Sequence, residues 1–148
     1  MTDKFTIRPA TAEDFPAIRA LVHQVRINPI DLDWRRFVVV VDRSGQMRGC
    51  GQLKPHGADI LELASIAVEP SFQNQGIGRA IIEHLIAQAP RPLYLTCRSS
   101  LKSFYEKWGF RVLDENEMPP YYLRLARLVS AISWLIARGE TMLVMKLS

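Results

Sequence analysis

The chain has 148 residues, 48% of them apolar and 23% charged, which supports one domain over 1–148 with a single substantial core and excludes disordered composition. A formal charge of +4, spread over scattered Lys and Arg, favours an anionic ligand and gives no footing for nucleic acid. Cys50 and Cys97 lack metal-ligand spacing, and Met1-Thr2-Asp3-Lys4 opens no apolar leader, so a reduced, cytoplasmic protein without a metal is expected.

Phe5-Thr6-Ile7-Arg8 alternates as a strand does. Thr11-Ala12-Glu13-Asp14 has the pattern of a capping box, and Phe15, Ile18, Leu21, Val22 and Val25 form one face of the helix that follows. Asn28-Pro29 stops it, and Leu32 to Phe37 has room for a short second helix. The β-branched run Phe37 to Val41 suits a strand buried on both faces. Ser44-Gly45 turns into a third strand, Met47 to Leu53, and His56-Gly57 breaks the chain before a fourth, Leu61 to Val68. An amphipathic helix runs from Arg79 to Ala89 until Pro90-Arg91-Pro92 ends it. Leu93 to Cys97 is a strand, Ser99 or Ser100 caps a helix through Trp108, and Gly109 closes it before the strand Phe110 to Leu113. Pro119-Pro120 opens an apolar helix, Tyr121 to Ala137, and Thr141 to Leu147 ends the chain as a strand.

In that last helix Arg124, Arg127, Ser130 and Ser133 recur every third residue. A helix with such a stripe is too short and too charged to cross a bilayer, so it packs on the sheet or on a second copy of the chain in a homodimer. The order β-α-α-β-β-β-α-β-α-β-α-β predicts an α/β fold of the α+β type: a mixed central sheet flanked by helices, with an extra helix between the last two strands.

Between the fourth strand and its helix lies Gln73-Asn74-Gln75-Gly76-Ile77-Gly78. A glycine loop that opens a helix aims backbone N–H groups and the positive end of the helix dipole at one spot, a seat for phosphate or pyrophosphate. The dinucleotide fingerprint would need Gly or Ala where Ile81 stands, and an acid near the end of the next strand, which Leu93 to Cys97 lacks. A nucleotide P-loop would need Gly-Lys-Ser/Thr, also absent.

Residues 60–84, ILELASIAVEPSFQNQGIGRAIIEH, resemble the acyl-coenzyme A motif of the GNAT acyltransferase superfamily, whose hallmark is Gln/Arg-x-x-Gly-x-Gly/Ala. Leu93 to Leu113, LYLTCRSSLKSFYEKWGFRVL, is similar to that family's second motif, through Phe104-Tyr105-Glu106-Lys107-x-Gly109-Phe110. The resemblance follows residues 5–113 in element order and is sharp in these two motifs. It implies a GNAT fold and acetyl-coenzyme A as co-substrate, with the N–H groups of Gln75, Gly76, Ile77, Gly78 and Arg79 holding the pyrophosphate and Gln73 and Asn74 among the coenzyme-binding residues. The pantetheine arm would pair with the backbone of Ile66 and Val68, and an N–H near Ala67 or Val68 would serve as oxyanion donor. Where many members carry an Asn that bonds the pantetheine, this chain has Arg98-Ser99-Ser100, so either Ser99 or Ser100 would replace it or the contact is absent, and Arg98 or Lys102 would instead meet the 3′-phosphate.

Acetylating an amine needs a base for the ammonium proton, a donor for the carbonyl oxygen and an acid for the leaving thiolate. The resemblance places Tyr105 where the family carries its thiol-protonating tyrosine; a phenol stays protonated at neutral pH. Glu62, a carboxylate within an apolar strand, is the candidate base, against a structural ion pair with an Arg. Alternation would put Glu62, Ala64, Ile66 and Val68 on one face. Cys97 has no His placed to activate it and reads as a packed thiol, whereas His56, Asp33 and Trp34 are candidates for the acceptor side, Asp33 with helix capping as its alternative.

The expected activity is acetyl transfer to a primary amine, of a small molecule or of a peptide or protein, by direct attack in a ternary complex. A catalytically silent acyl-coenzyme A sensor and a transferase for longer acyl chains are the rivals. The acceptor is left open.

Overall fold

The computed structural model describes the backbone of residues 4–133 and 139–148 and the side chains of residues 4–130 and 139–148. The leaderless start read from Met1-Thr2-Asp3, the Ser133 end of the polar stripe and the end of the helix expected through Ala137 lie outside them.

The elements are β1 (Phe5–Pro9), α1 (Phe15–Gln24), β2 (Phe37–Asp42), β3 (Met47–His56), β4 (Ile60–Val68), α2 (Ile77–Gln88), β5 (Leu93–Arg98), α3 (Lys102–Glu106), β6 (Arg111–Val112), α4 (Pro120–Ser133) and β7 (Met142–Leu147). The seven strands pair in the order β1-β2-β3-β4-β5-β7-β6. β4 runs parallel to β5, while β1/β2, β2/β3, β5/β7 and β6/β7 are antiparallel, so the sheet is mixed as expected. The extra helix between the last two strands is present as α4. The helix allowed for Leu32 to Phe37 is a single 3-10 turn, Trp34–Arg36.

The chain divides into two compact units, Met1–Lys54 with Leu63–Ala89, and Pro55–Glu62 with Pro90–Ser148. In the first, Ile18, Leu21 and Val22 of α1 bury against Phe37, Val39, Cys50 and Ala67. The capping box forms as read: the Thr11 N–H donates to Asp14 Oδ2 at 2.7 Å. α2 lies so close to β3 that a Cβ on Gly51 would stand 2.6 Å from Ile81 Cγ2. Asp42 accepts from the Ser44 and Gln46 N–H groups and pairs with Arg48 at 2.8 Å, which ties the β2–β3 turn.

In the second unit, Tyr122 of α4 is fully buried with Tyr94, Leu113 and Val144. Arg124, Arg127 and Ser130 of the polar stripe are exposed, as the period of three requires of an outward face.

One strand boundary and one strand face differ from the sequence reading for a physical reason. β3 continues past Leu53 to His56, so His56 is a strand residue rather than part of the turn, which falls on Gly57-Ala58-Asp59 with Gly57 at φ +69°. Cys50, Gln52 and Lys54 are all buried at alternate positions, so the pattern that defines the strand persists through a polar stretch that hydropathy does not mark. In β4, Ser65 adopts φ +57°, a left-handed conformation that interrupts a strand's period-two alternation. The single face assigned to Glu62 through Val68 is corrected accordingly.

Candidate active site

In the first unit, β4 feeds the glycine loop through a 3-10 turn, Pro70–Phe72. Gly76 is the N-cap of α2 with φ +85°, which favours glycine strongly. Asn74, at φ +65°, shares the left-handed region. The first helical bond is Ala80 N–H to Gly76 O at 3.0 Å, so the N–H groups of Ile77, Gly78 and Arg79 have no intrahelical acceptor. A Cβ on Gly78 would meet only Val68 Cγ2, at an ordinary 3.6 Å. Nothing in the protein's packing demands glycine there; what its absent Cβ leaves open is approach to the orphan N–H groups. That cradle fits the pyrophosphate of coenzyme A. Gln73 Nε2 donates to Val68 O at 3.2 Å, and Asn74, Gln75 and Arg79 are exposed.

Upstream on β4, the left-handed Ser65 lies just ahead of Ile66, Ala67 and Val68. Its hydroxyl accepts from Gln52 Nε2 at 2.8 Å, and the buried Gln52 Oε1 has no hydrogen-bond partner among the described residues. Lys54, 8% exposed, donates to Ile30 O at 3.0 Å and has no carboxylate partner among the described residues. Asp33 Oδ1 caps the 3-10 turn by accepting from the Arg35 N–H at 3.0 Å. Trp34 is half-buried against the α1 core, with Arg35 over its ring at 5.6 Å.

In the second unit, Glu62 is largely buried, and no Arg among the described residues pairs with it. Its Oε1 meets His56 Nε2 at 2.7 Å and accepts from the Tyr122 hydroxyl at 2.8 Å. Both Glu62 and His56 side chains are only 13% exposed. Tyr121 stacks on His56 with ring centroids 4.2 Å apart and planes at 19°, and Tyr94 lies beside Tyr122 at 5.4 Å. Burial, then the Glu62 charge, pushes the Tyr122 phenol well above its ordinary range, and the same causes raise Tyr121. Sequence reasoning found Glu62 and His56 separately but not Tyr121 and Tyr122, which read as the apolar start of a helix.

Tyr105 sits on the short helix α3 among Phe104, Trp108 and Phe110, with centroids 5.1 to 6.3 Å away. Burial, with a smaller contribution from Cys97, pushes its phenol up to about 12, so it remains a proton donor across the working pH range. The Cys97 thiol lies 3.8 Å from Met145 Sδ and is raised by burial, as a packed thiol would be. Ser99 and Ser100 are engaged locally: Ser99 Oγ accepts from Thr141 N–H at 3.1 Å, and Ser100 N–H donates to Glu140 Oε1 at 2.9 Å. Arg98 stands 3.8 Å from Glu140, and Lys102 is exposed.

Among the described residues no group of three His, Cys, Asp or Glu could hold a metal ion, and no helix is long and apolar enough to cross a membrane.

The family profile of an acetyltransferase (GNAT) domain matches residues 33–112. The amino-acid acetyltransferase of Neisseria meningitidis serogroup A is 29% identical over 127 residues, 77% of this chain and 29% of that protein. The amino-acid acetyltransferase of Mycobacterium tuberculosis is 33% identical over 123 residues, 73% of this chain and 69% of its own length. N-acetylglutamate synthase from Neisseria gonorrhoeae, solved with coenzyme A and N-acetyl-glutamate, superposes on the whole chain with TM-score 0.74 at 23% identity, over 36% of its own chain. The chain thus spans under a third of the length of the Neisseria meningitidis relative. A glycine cradle at a helix N-terminus and a tyrosine in the second motif, on a mixed seven-stranded sheet, are accounted for together by one conclusion: the chain belongs to the GNAT acetyltransferase family.

Proposed function

We propose that this protein is an acetyl-coenzyme A-dependent N-acetyltransferase whose acceptor is a small amine bearing a carboxylate, with an α-amino acid as the leading class. What carries the activity is β4, which has a hydrogen-bonded carboxylate near its start and the glycine cradle beyond its end. The base function centres on the Glu62 cluster, and Tyr105 is the acid. The ammonium gives up one proton, its nitrogen attacks the thioester carbonyl, and the carbon–sulfur bond breaks. Tyr105 protonates the departing sulfur and regains its proton, through water, from the new amide nitrogen.

The carboxylate preference rests on Lys54. A buried ammonium is costly without an anion, and among the described residues Lys54 donates to one carbonyl of the three acceptors it could take. That two relatives are named amino-acid acetyltransferases supports the same class. A cytoplasmic setting is in keeping with the two free cysteines. The test is thiol release from acetyl-coenzyme A over a panel of free amino acids, their carboxamides, peptides and simple amines, beside calorimetry with coenzyme A. Turnover on free amino acids above their carboxamides is expected. Coenzyme binding without turnover on any amine would replace the enzyme with a sensor, and faster turnover with longer acyl thioesters would change the donor.

A further inference from the structure

Glu62 Oε1 receives two groups, the Tyr122 hydroxyl at 2.8 Å and His56 Nε2 at 2.7 Å. An ionised carboxylate only accepts, so the proton in the second bond belongs to the imidazole and Nε2 is its N–H. In the neutral ring the lone pair is then on Nδ1, which has no hydrogen-bond partner among the described residues. Tyr121 stacked on the ring holds its plane. A carboxylate that sets the tautomer and orientation of an imidazole, and is itself steadied by a third group, is how side chains prepare a nitrogen for proton transfer. Glu62 Oε1, with both lone pairs taken, has no capacity for a substrate proton.

We propose that His56 Nδ1 is the atom that takes the ammonium proton, with Glu62 and, behind it, Tyr122 as positioning residues. This rests on the acetyltransferase reading above and divides its base between two residues. In the step, an N–H bond of the ammonium breaks, its electron pair stays on nitrogen for attack, and the proton forms a bond to Nδ1. The imidazolium so made lies against the Glu62 carboxylate, which stabilises it, and later releases the proton to water. The rival acceptor is Glu62 Oε2. Among the described residues, the titratable groups that face the Glu62–His56 pair are Tyr121 and Tyr122 from α4 and Tyr94, the register partner of Glu62 on β5; Lys146 of β7 lies one step further out, 5.9 Å from the Tyr94 ring centroid.

The experiment is the pH profile of kcat/KM for the full chain and three variants. If His56 is the base, activity rises with pH along an acid limb that His56→Gln removes, with a rate loss on the order of a hundredfold or more. Glu62→Gln would move that limb to lower pH by about one unit or more, because the imidazolium loses its counter-charge. Tyr122→Phe would move it the other way, since Oε1 relieved of one donor holds the imidazolium more strongly. If Glu62→Gln abolishes the limb while His56→Gln keeps both limb and rate, Oε2 is the acceptor and the proposal falls. Nitrogen NMR of the histidine-labelled wild type gives a readout independent of turnover and of variant folding. An Nε2–H tautomer for His56 is expected, and an Nδ1–H tautomer would overturn the assignment. Failure of the wild type to acetylate any amine would instead sink the acetyltransferase reading, and the tautomer would still be measured.

Discussion

The hydroxyl of Tyr122, on α4, donates to Oε1 of Glu62, at the start of β4, across 2.8 Å. The helix that the sequence marked only as an addition between the last two strands is thereby joined to the carboxylate that the chemistry singles out. Tyr122 is fully buried, so its hydroxyl has no water to fall back on if Glu62 is lost.

Tyr122→Phe keeps the ring against Tyr94 and Val144 and removes one oxygen. A hydrogen bond to a charged group contributes about 1.5–3 kcal/mol, so urea unfolding should show a loss of that size. A loss below about 0.5 kcal/mol, the scatter of surface substitutions, would mean the bond does not hold α4 in solution.

Gly76 and Gly78 are glycines for different reasons, and their alanine variants should separate stability from binding. Gly76→Ala forces a Cβ into φ +85° and should cost about 1 kcal/mol of stability. Gly78→Ala meets only Val68 Cγ2 at 3.6 Å, so the fold should keep its stability while coenzyme A affinity drops by about tenfold or more, roughly the loss of one good polar contact. Calorimetry with coenzyme A beside urea unfolding reads both. Tight binding by Gly78→Ala would move the pyrophosphate elsewhere.

Lys54→Met keeps the stem volume and removes the ammonium that donates to Ile30 O. For a free amino-acid acceptor KM should rise about tenfold to a hundredfold, as expected for losing a charged hydrogen bond, with kcat little changed. The carboxamide of the same acceptor should show no such rise. Equal effects on both would assign Lys54 to packing.

Asp14 is a stability residue whose pH dependence has a definite sign. Arg8, at 2.8 and 3.0 Å, is the main cause that lowers its carboxyl from 3.8 to about 2, with the Thr11 N–H helping. A folded value below the unfolded one gives stabilisation that is present above the unfolded value and lost as pH falls through the folded one. Asp14→Asn should therefore cost about 1 kcal/mol at neutral pH, as a lost cap does. The gap between variant and wild type should narrow below 3.8 and close near 2. A gap independent of pH would make it a matter of shape rather than charge.

Much of this was readable because local pattern and global fold agree. The capping box at Thr11, the buried run of β2 and the glycine loop each depend on neighbours in sequence, and each appears where the pattern puts it. The strand end at His56 and the left-handed Ser65 were not readable, since neither is signalled by hydropathy: one follows a buried polar row, the other a non-glycine residue at positive φ. The partners of Glu62 were hidden for a similar reason. Tyr122 lies 60 residues away, and an apolar helix start looks the same whether its hydroxyl points at a carboxylate or at water.

Tyr105 offers the sharpest check on the departing-thiol step. Its hydroxyl has no hydrogen-bond partner among the described residues, and its ring is held by Phe104, Trp108 and Phe110, so Tyr105→Phe removes a proton and little packing. Turnover should fall by about a hundredfold or more with coenzyme A affinity unchanged. The acid form must be present for this role, and burial keeps it so up to about 12. The wild-type rate should consequently show no alkaline limb from this residue within the range where the protein stays folded. A free thiol leaves as thiolate with a pKa near 8.5, so leaving groups of lower pKa need less help from an acid. The penalty of Tyr105→Phe should therefore shrink when the acetyl donor is an aryl thioester. An equal penalty for both donors would place Tyr105 in binding or packing, and remove it from the proton transfer.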